Sequence, residues 1–178
     1  MRSGPWSHAR DAIWSKAVDT LYGDTLQFLY HLALALLVGG GLVLGSAVAP
    51  AIFRTIPSRS EAGALFGAVL ARWDGLAIFC VILVVVTSVL KAGAYEVSGT
   101  PEPRLIVRWT LLVVMSAAVM YSSGWANPVA RSLRAQVRDW DEQPESSPVR
   151  REFAKLHRSS SRAMRVAIFA GLIALFLS

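Results

Sequence analysis

His31 is the one imidazole inside an apolar stretch of this 178-residue chain. At that depth an imidazole can ligate a metal or haem, or hold a polar group of a substrate. The plainer reading is a hydrogen bond to a neighbouring helix. His157 stands in the segment Phe153 to Ser160, where Phe153, Leu156, His157, Ser160 and Met164 recur at helical spacing. That face is expected to pack on the bundle or to lie at the membrane interface. One ion cannot join the two imidazoles. His31 lies at the outer end of its stretch, about 18 residues or roughly 27 Å from the inner end that His157 adjoins. No bis-histidine haem and no other cofactor is expected.

Glycine supplies the next pattern. Gly39, Gly40, Gly41 and Gly45 fall in one apolar stretch, and Gly63 and Gly67 repeat the four-residue spacing of Gly41 and Gly45. In lipid such small-residue pairs let helices approach closely. A glycine-lined ligand path is the sharper alternative. A phosphate-cradling loop is excluded, because no strand precedes these glycines and no lysine follows them. The single cysteine, Cys80, excludes a disulfide framework and a cysteine-based metal site. No nucleophile–base pair, carboxylate dyad or metal-ligand cluster stands out, so no enzymatic role and no metal site is expected.

These residues sit on elements that hydropathy defines. Leu26–Ala49, Gly75–Leu90, Trp109–Ala126 and Val166–Leu177 contain no Asp, Glu, Lys or Arg. A bilayer core of about 30 Å needs about 20 helical residues. The first and third stretches reach that alone, and the others reach it with their flanks. Hydrophobic residues make up 54% of the chain, high for a soluble domain. The class is therefore all-α: an integral membrane four-helix bundle with amphipathic interfacial helices. Residues 1–25 are expected to form an interfacial segment, with Trp14, Val18, Leu21 and Tyr22 at helical spacing. Residues 26–178 form the four-span membrane domain. The first stretch is long enough to stay as an anchor.

Caps and breakers set the boundaries. Asp24 with Gln27, and Ser58 with Glu61, each read as a capping box. Ser147-Pro148 reads as the start of a last helix of about 30 residues. The first span is expected to reach Pro50. Asn127-Pro128 predicts a kink or restart, followed by an amphipathic helix from Val129 to about Trp140. Arg72-Trp73-Asp74 reads as a boundary at headgroup level. The central part of every span lacks charge, which argues against a pump or proton relay.

The net charge is +6. Its residues cluster at span ends, so the expected partner is the bilayer with its anionic headgroups, not nucleic acid. The amino-terminal segment, the first loop and the second loop each hold three Lys or Arg, and the third loop holds nine. The first and third loops share a side, which should be cytoplasmic. Both termini are then expected outside it, in the cell membrane, a bacterial inner membrane. A membrane-protein partner or a second copy is a further candidate.

Tyr30-His31-Leu32, Gly39-Gly40, the run Ala49 to Pro57 with Pro50 and Phe53, Asn127-Pro128 and the segment Phe153 to Ser160 occur in that order. Together they resemble the four-span family of transmembrane protein 205 and its bacterial relatives, a domain of unknown function. The resemblance covers most of residues 26–178. It implies a four-helix membrane domain, with His31, Pro50, Phe53, Gly63, Pro128 and His157 at pattern positions. It implies no reaction. Three roles stay open: passage of a small solute or metal ion, an accessory subunit or packing partner in a larger, electron-transfer membrane complex, and a redox or haem protein, which a visible absorption spectrum would reveal.

Overall fold

The structure, a computed structural model, describes residues 5–97, 99–137, 140, 142–144 and 146–178, with side chains from residue 18 onward. Four helical rods, each long and apolar enough to cross a membrane, make up the fold: Val18–Thr55, Arg59–Glu96, Pro103–Ala135 and Pro148–Phe176. This is an all-α, multi-pass membrane bundle, as the hydropathy predicts. Lipid forces that economy, since every backbone amide in the bilayer must bond within its own helix.

The first rod joins α1 (Pro5–Val43) to α2 (Ala49–Thr55) through a π-helical turn, Leu44–Val48. The second is α3 (Arg59–Lys91) with a closing π turn, Ala92–Glu96. The third joins α4 (Pro103–Val119) to α5 (Asn127–Ala135) through a longer π segment, Met120–Ala126. The fourth is α6 (Pro148–Phe176).

Both interior prolines follow a widened turn. Proline has no amide hydrogen, and its ring meets the carbonyl four residues back. For Pro50 that residue is Ser46, and for Pro128 it is Gly124, each inside a π segment. Widening the turn moves the carbonyl aside, so neither rod breaks. The first span therefore runs past Pro50 to Thr55, and at Asn127-Pro128 the third rod continues through a widened segment without a restart. The amphipathic helix beyond it ends at Ala135, short of Trp140. Two other expectations hold. Ser58 accepts from the Glu61 amide at 3.2 Å, and Ser147 accepts from the Arg150 amide at 3.3 Å. The Asp24–Gln27 capping box fails, because α1 passes through both residues without interruption. The predicted contact role of Trp14 lies outside the described side chains.

The core fills the apolar belt. Tyr30, Leu34 and Leu37 of α1, Ala77, Cys80 and Val84 of α3, and Met115 and Val119 of α4 are fully buried together. The α6 residues buried in this core are small, Ala167, Ala170 and Ala174 with Gly171 beside them, and Met164 and Leu175 pack at its edge. That stripe lets α6 lie close against both α4 and α1. Among the predicted packing glycines, Gly40 meets this rule most sharply. A Cβ there would stand 2.3 Å from the Trp73 ring, and one at Gly41 would stand 2.9 Å from Ile168. Gly39, Gly45 and Gly67 have nothing within 4 Å of such a Cβ. Gly40→Val is thus expected to destabilise the bundle by about 1–3 kcal/mol. Gly39→Ala should be neutral or stabilising by up to about 1 kcal/mol. Thermal unfolding of the two variants in the same detergent checks the contrast, and equal shifts would contradict the packing.

Charge sits at the two ends of the belt. The end carrying the first and third connections, here the basic end, holds Asp74 and Arg131. The opposite end holds Lys91, Glu96 and Arg108. Asp74 and Lys91 stand about 17 residues apart on α3, roughly 25 Å of rise. Lys91 and Arg108, counted with the second connection in the charge balance, both lie in helices and are buried. The true connection is shorter and turns at Gly99, whose φ of +101° suits a residue without a side chain.

Candidate functional site

At the basic end a chain of polar side chains crosses three rods. Asp74 leaves α3 buried, at 3% exposure. One carboxylate oxygen accepts from Asn127 Nδ2 at 2.8 Å, and the other accepts from Arg131 Nη1 at 2.5 Å. Ser160 of α6 donates to Asn127 Oδ1 at 2.5 Å, and its hydroxyl lies 2.8 Å from that of Ser122. Asn127 thereby offers its amide nitrogen to α3 and its carbonyl to α6. This is a satisfied use of a buried amide, which would otherwise cost stability.

The π segment makes this possible. Ser122, Ser123, Ala126 and Asn127 are all buried, two adjacent pairs one turn apart. Pro128 imposes the widened turn, and the turn presents the hydroxyls and the amide to the interior.

A cavity of about 350 Å³ opens beside the network. Leu44, Phe53, Phe66, Leu70, Trp73 and Ile168 form its apolar wall. Ser122, Asn127, His157, Ser160, Ser161 and Arg165 form its polar side. The tilted rings of Phe53 and Phe66 have centroids 5.9 Å apart, so α2 and α3 share an aromatic rim. Gly41 and Gly45 line the α1 side, where the absence of side chains leaves the space open.

The predicted residues divide by place. Gly41, Gly45, Phe53, Asn127 and His157 line the cavity. Pro50 and Pro128 each follow the π segments that shape it. Gly40 lies under Trp73, and Gly63 lies under the guanidinium of Arg134, which bonds the Ser60 carbonyl at 2.7 Å. Gly39 and Gly67 line neither the cavity nor a close contact. His157 keeps an exposed ring stacked on Phe153, with centroids 6.0 Å apart and planes 4° apart.

His31 belongs to the other end. Its Nε2 lies 3.0 Å from the Ser178 hydroxyl and 3.4 Å from the Gln27 amide nitrogen. The Ser178 hydroxyl stands just past the end of α6, so this contact joins the first and fourth rods. His157 is about 20 residues from Ser178 along the last helix, so about 30 Å separates the imidazoles. Among the described residues no three His, Cys, Asp or Glu side chains gather as a metal site would need.

Asp74, Arg131 and Ser122 escape a linear reading. Asp74 looks like the last charge before a span. Its position one residue after a boundary tryptophan, facing Asn127 at the end of the next span, is the signal that identifies it.

Residues 32–139 match the family described as a domain of unknown function (DUF4149). That stretch contains most of the first rod, the second and third rods, and the Asp74–Asn127 pair. No curated protein and no solved structure matches the chain.

Proposed function

The chain belongs to that family, a domain of unknown function, and from this premise we propose that it is a non-enzymatic binder of a small amphiphile. The observation that carries the reading is the cavity's division into an aromatic wall and a hydroxyl and amide side. A ligand with an apolar chain and a hydroxyl- or carbonyl-bearing head matches both. The apolar part would lie against Phe53, Phe66 and Trp73, with the head towards Ser122, Ser160 and Asn127. Passage of a solute through a single bundle is less well supported, because Tyr30, Leu34, Leu37, Val84, Met115 and Val119 fill the belt beneath the cavity. Passage would require that core to part.

The basic end is the proposed cytoplasmic side of a bacterial inner membrane, with both chain ends opposite. Of the Lys and Arg residues, twelve belong to the first and third connections and six to the other side. Two of those six, Lys91 and Arg108, are buried, which sharpens the asymmetry. Nearer kinship with transmembrane protein 205 rests on the order of His31, Pro50, Phe53, Pro128 and His157.

Monolaurin is a suitable probe. A native mass spectrum of the protein after exposure to it should show one bound molecule per chain. Gly45→Phe should reduce that species at least tenfold, because Gly45 lines the cavity and has room for a side chain. An undiminished adduct in the variant, or none in the wild type, would remove the cavity reading.

A second reading, a packing partner in a membrane complex, has its own observation. A groove between α3 and α4 is lined by Val85, Val89, Trp109 and Val113, together with Ser88 and Ser116. Both serine hydroxyls are buried there without a partner among the described residues. A helix from another chain or a second copy could supply acceptors. The same spectrum, taken in mild detergent, would show that partner as added mass.

A further inference from the structure

At the opposite end of the bundle a buried cluster holds more positive charge than its one carboxylate cancels, whereas Asp19, Asp24 and Glu102 of that end are exposed outside it. Tyr30 of α1, Lys91 and Glu96 of the second rod, and Arg108 of α4 meet there. Lys91 Nζ lies 3.1 Å from one oxygen of Glu96, and Arg108 Nη2 lies 2.5 Å from the other. Lys91 is 1% exposed and Arg108 is 6% exposed. Two buried cations therefore share one carboxylate, and one positive charge is left over.

The Tyr30 ring takes up part of the excess. Lys91 Nζ is 4.3 Å from its centroid, and Arg108 Cζ is 5.6 Å away. Such contacts contribute about 0.5–2 kcal/mol. Burying a charge costs several kcal/mol, so the ring does not balance the account.

Hydrogen-bonding capacity is also left unused. Arg108 Nε and the Tyr30 hydroxyl are buried with no partner among the described residues. Beside Arg108 lies an open space of about 330 Å³, bounded by Glu96, Thr100, Glu102, Arg104, Leu105 and Leu177. Arg104 and Glu102, of opposite charge, stand exposed at its mouth, and Arg104 Nε donates to the Leu177 carbonyl at 3.1 Å, so the inner excess is unchanged.

We propose that this space is a binding site for a phosphate group. Arg108 lines the space, and a guanidinium with an unused donor suits anionic oxygens. The depth suits it too. Lys91 directly follows the charge-free run Gly75–Leu90, so the site lies at headgroup level. The phosphate can belong to a lipid headgroup or be free in solution. The site is at the far end of the bundle from the amphiphile cavity and does not depend on it.

The test uses delipidated protein in a non-ionic detergent and reads the unfolding temperature. Phosphatidylglycerol, inorganic phosphate and phosphatidylcholine are added separately. One anionic probe should raise the midpoint by about 4 °C or more at saturation, and phosphatidylcholine, whose phosphate is offset by its own ammonium, should raise it less. A response to phosphatidylglycerol alone assigns the site to a lipid headgroup, and a response to inorganic phosphate assigns it to a soluble anion. Arg108→Gln should abolish the response. Arg104→Gln, at the exposed mouth, should weaken it in a protein that folds normally. Glu96→Gln should enlarge the response, because it raises the uncompensated charge from one to two. Silence towards both anions would overturn the proposal. So would an unchanged response in Arg104→Gln and Arg108→Gln, or a smaller one in Glu96→Gln.

Discussion

Asp74→Ala is expected to cost about 3–5 kcal/mol, near the lower end of that range. The carboxylate is buried and accepts two hydrogen bonds, one from Asn127 and one from Arg131. Its removal leaves the Asn127 amide nitrogen unsatisfied in the interior, a loss of about 1–3 kcal/mol by itself. Arg131 loses its counter-charge as well. The Arg131 side chain is 32% exposed, so it can turn partly towards water, and this moderates the loss. Asp74→Asn should fall between the wild type and the alanine variant, since an amide oxygen can still accept from Asn127 but carries no charge for Arg131. Reversible unfolding in detergent, followed by helical circular dichroism, ranks the three proteins. A loss below about 1 kcal/mol for Asp74→Ala would mean that the carboxylate does not hold these rods together.

The same network shows what a linear reading can reach. The four spans, the Ser58 and Ser147 caps and the unbroken last helix follow from local chemistry, and each stands in the structure. The errors share one cause. Hydropathy assigns a charged residue beside a span to a loop or boundary, yet lipid favours helices that continue past the apolar run until their amides reach water. Lys91, Arg108 and Asp74 are therefore carried on helices and turned inward. Asp24 and Gln27 look like a cap for the same reason, although α1 is already helical when it reaches them. The glycines divide by what faces them: Gly40 and Gly41 meet Trp73 and Ile168, whereas Gly39 and Gly67 meet nothing. That distinction depends on rod orientation, which residue spacing alone does not encode. The small face of α6 was within reach, since Ala167 with Gly171 and Ala170 with Ala174 repeat the four-residue spacing of the more conspicuous glycines. The π segments lie further off. Each interior proline implies some relief for the carbonyl four residues back, but not whether the helix kinks or widens.

Glu96→Ala is the change expected to damage the opposite end most, by about 3–5 kcal/mol. The Lys91 and Arg108 side chains are 1% and 7% exposed, so neither can turn to water as Arg131 can. Lysine can shed its proton when deprived of a partner, but arginine cannot. The variant therefore keeps at least one buried cation without a counter-charge. A fully apolar replacement separates stability from function. Lys91→Met, Glu96→Leu and Arg108→Leu together remove every charge in the set, and such exchanges of buried ionic groups are often neutral or stabilising by about 1–4 kcal/mol. The triple variant should therefore unfold at or above the wild-type midpoint, whereas Glu96→Ala unfolds well below it. A triple variant as unstable as Glu96→Ala would show that the three ionic groups hold the bundle together in themselves. If it is stable, the ionic set adds nothing to the fold that Met and Leu could not, and binding an anion becomes the reason for burying it. A phosphate-bearing probe should then restore part of the stability of Glu96→Ala, by standing where the carboxylate was, and should leave the triple variant unmoved.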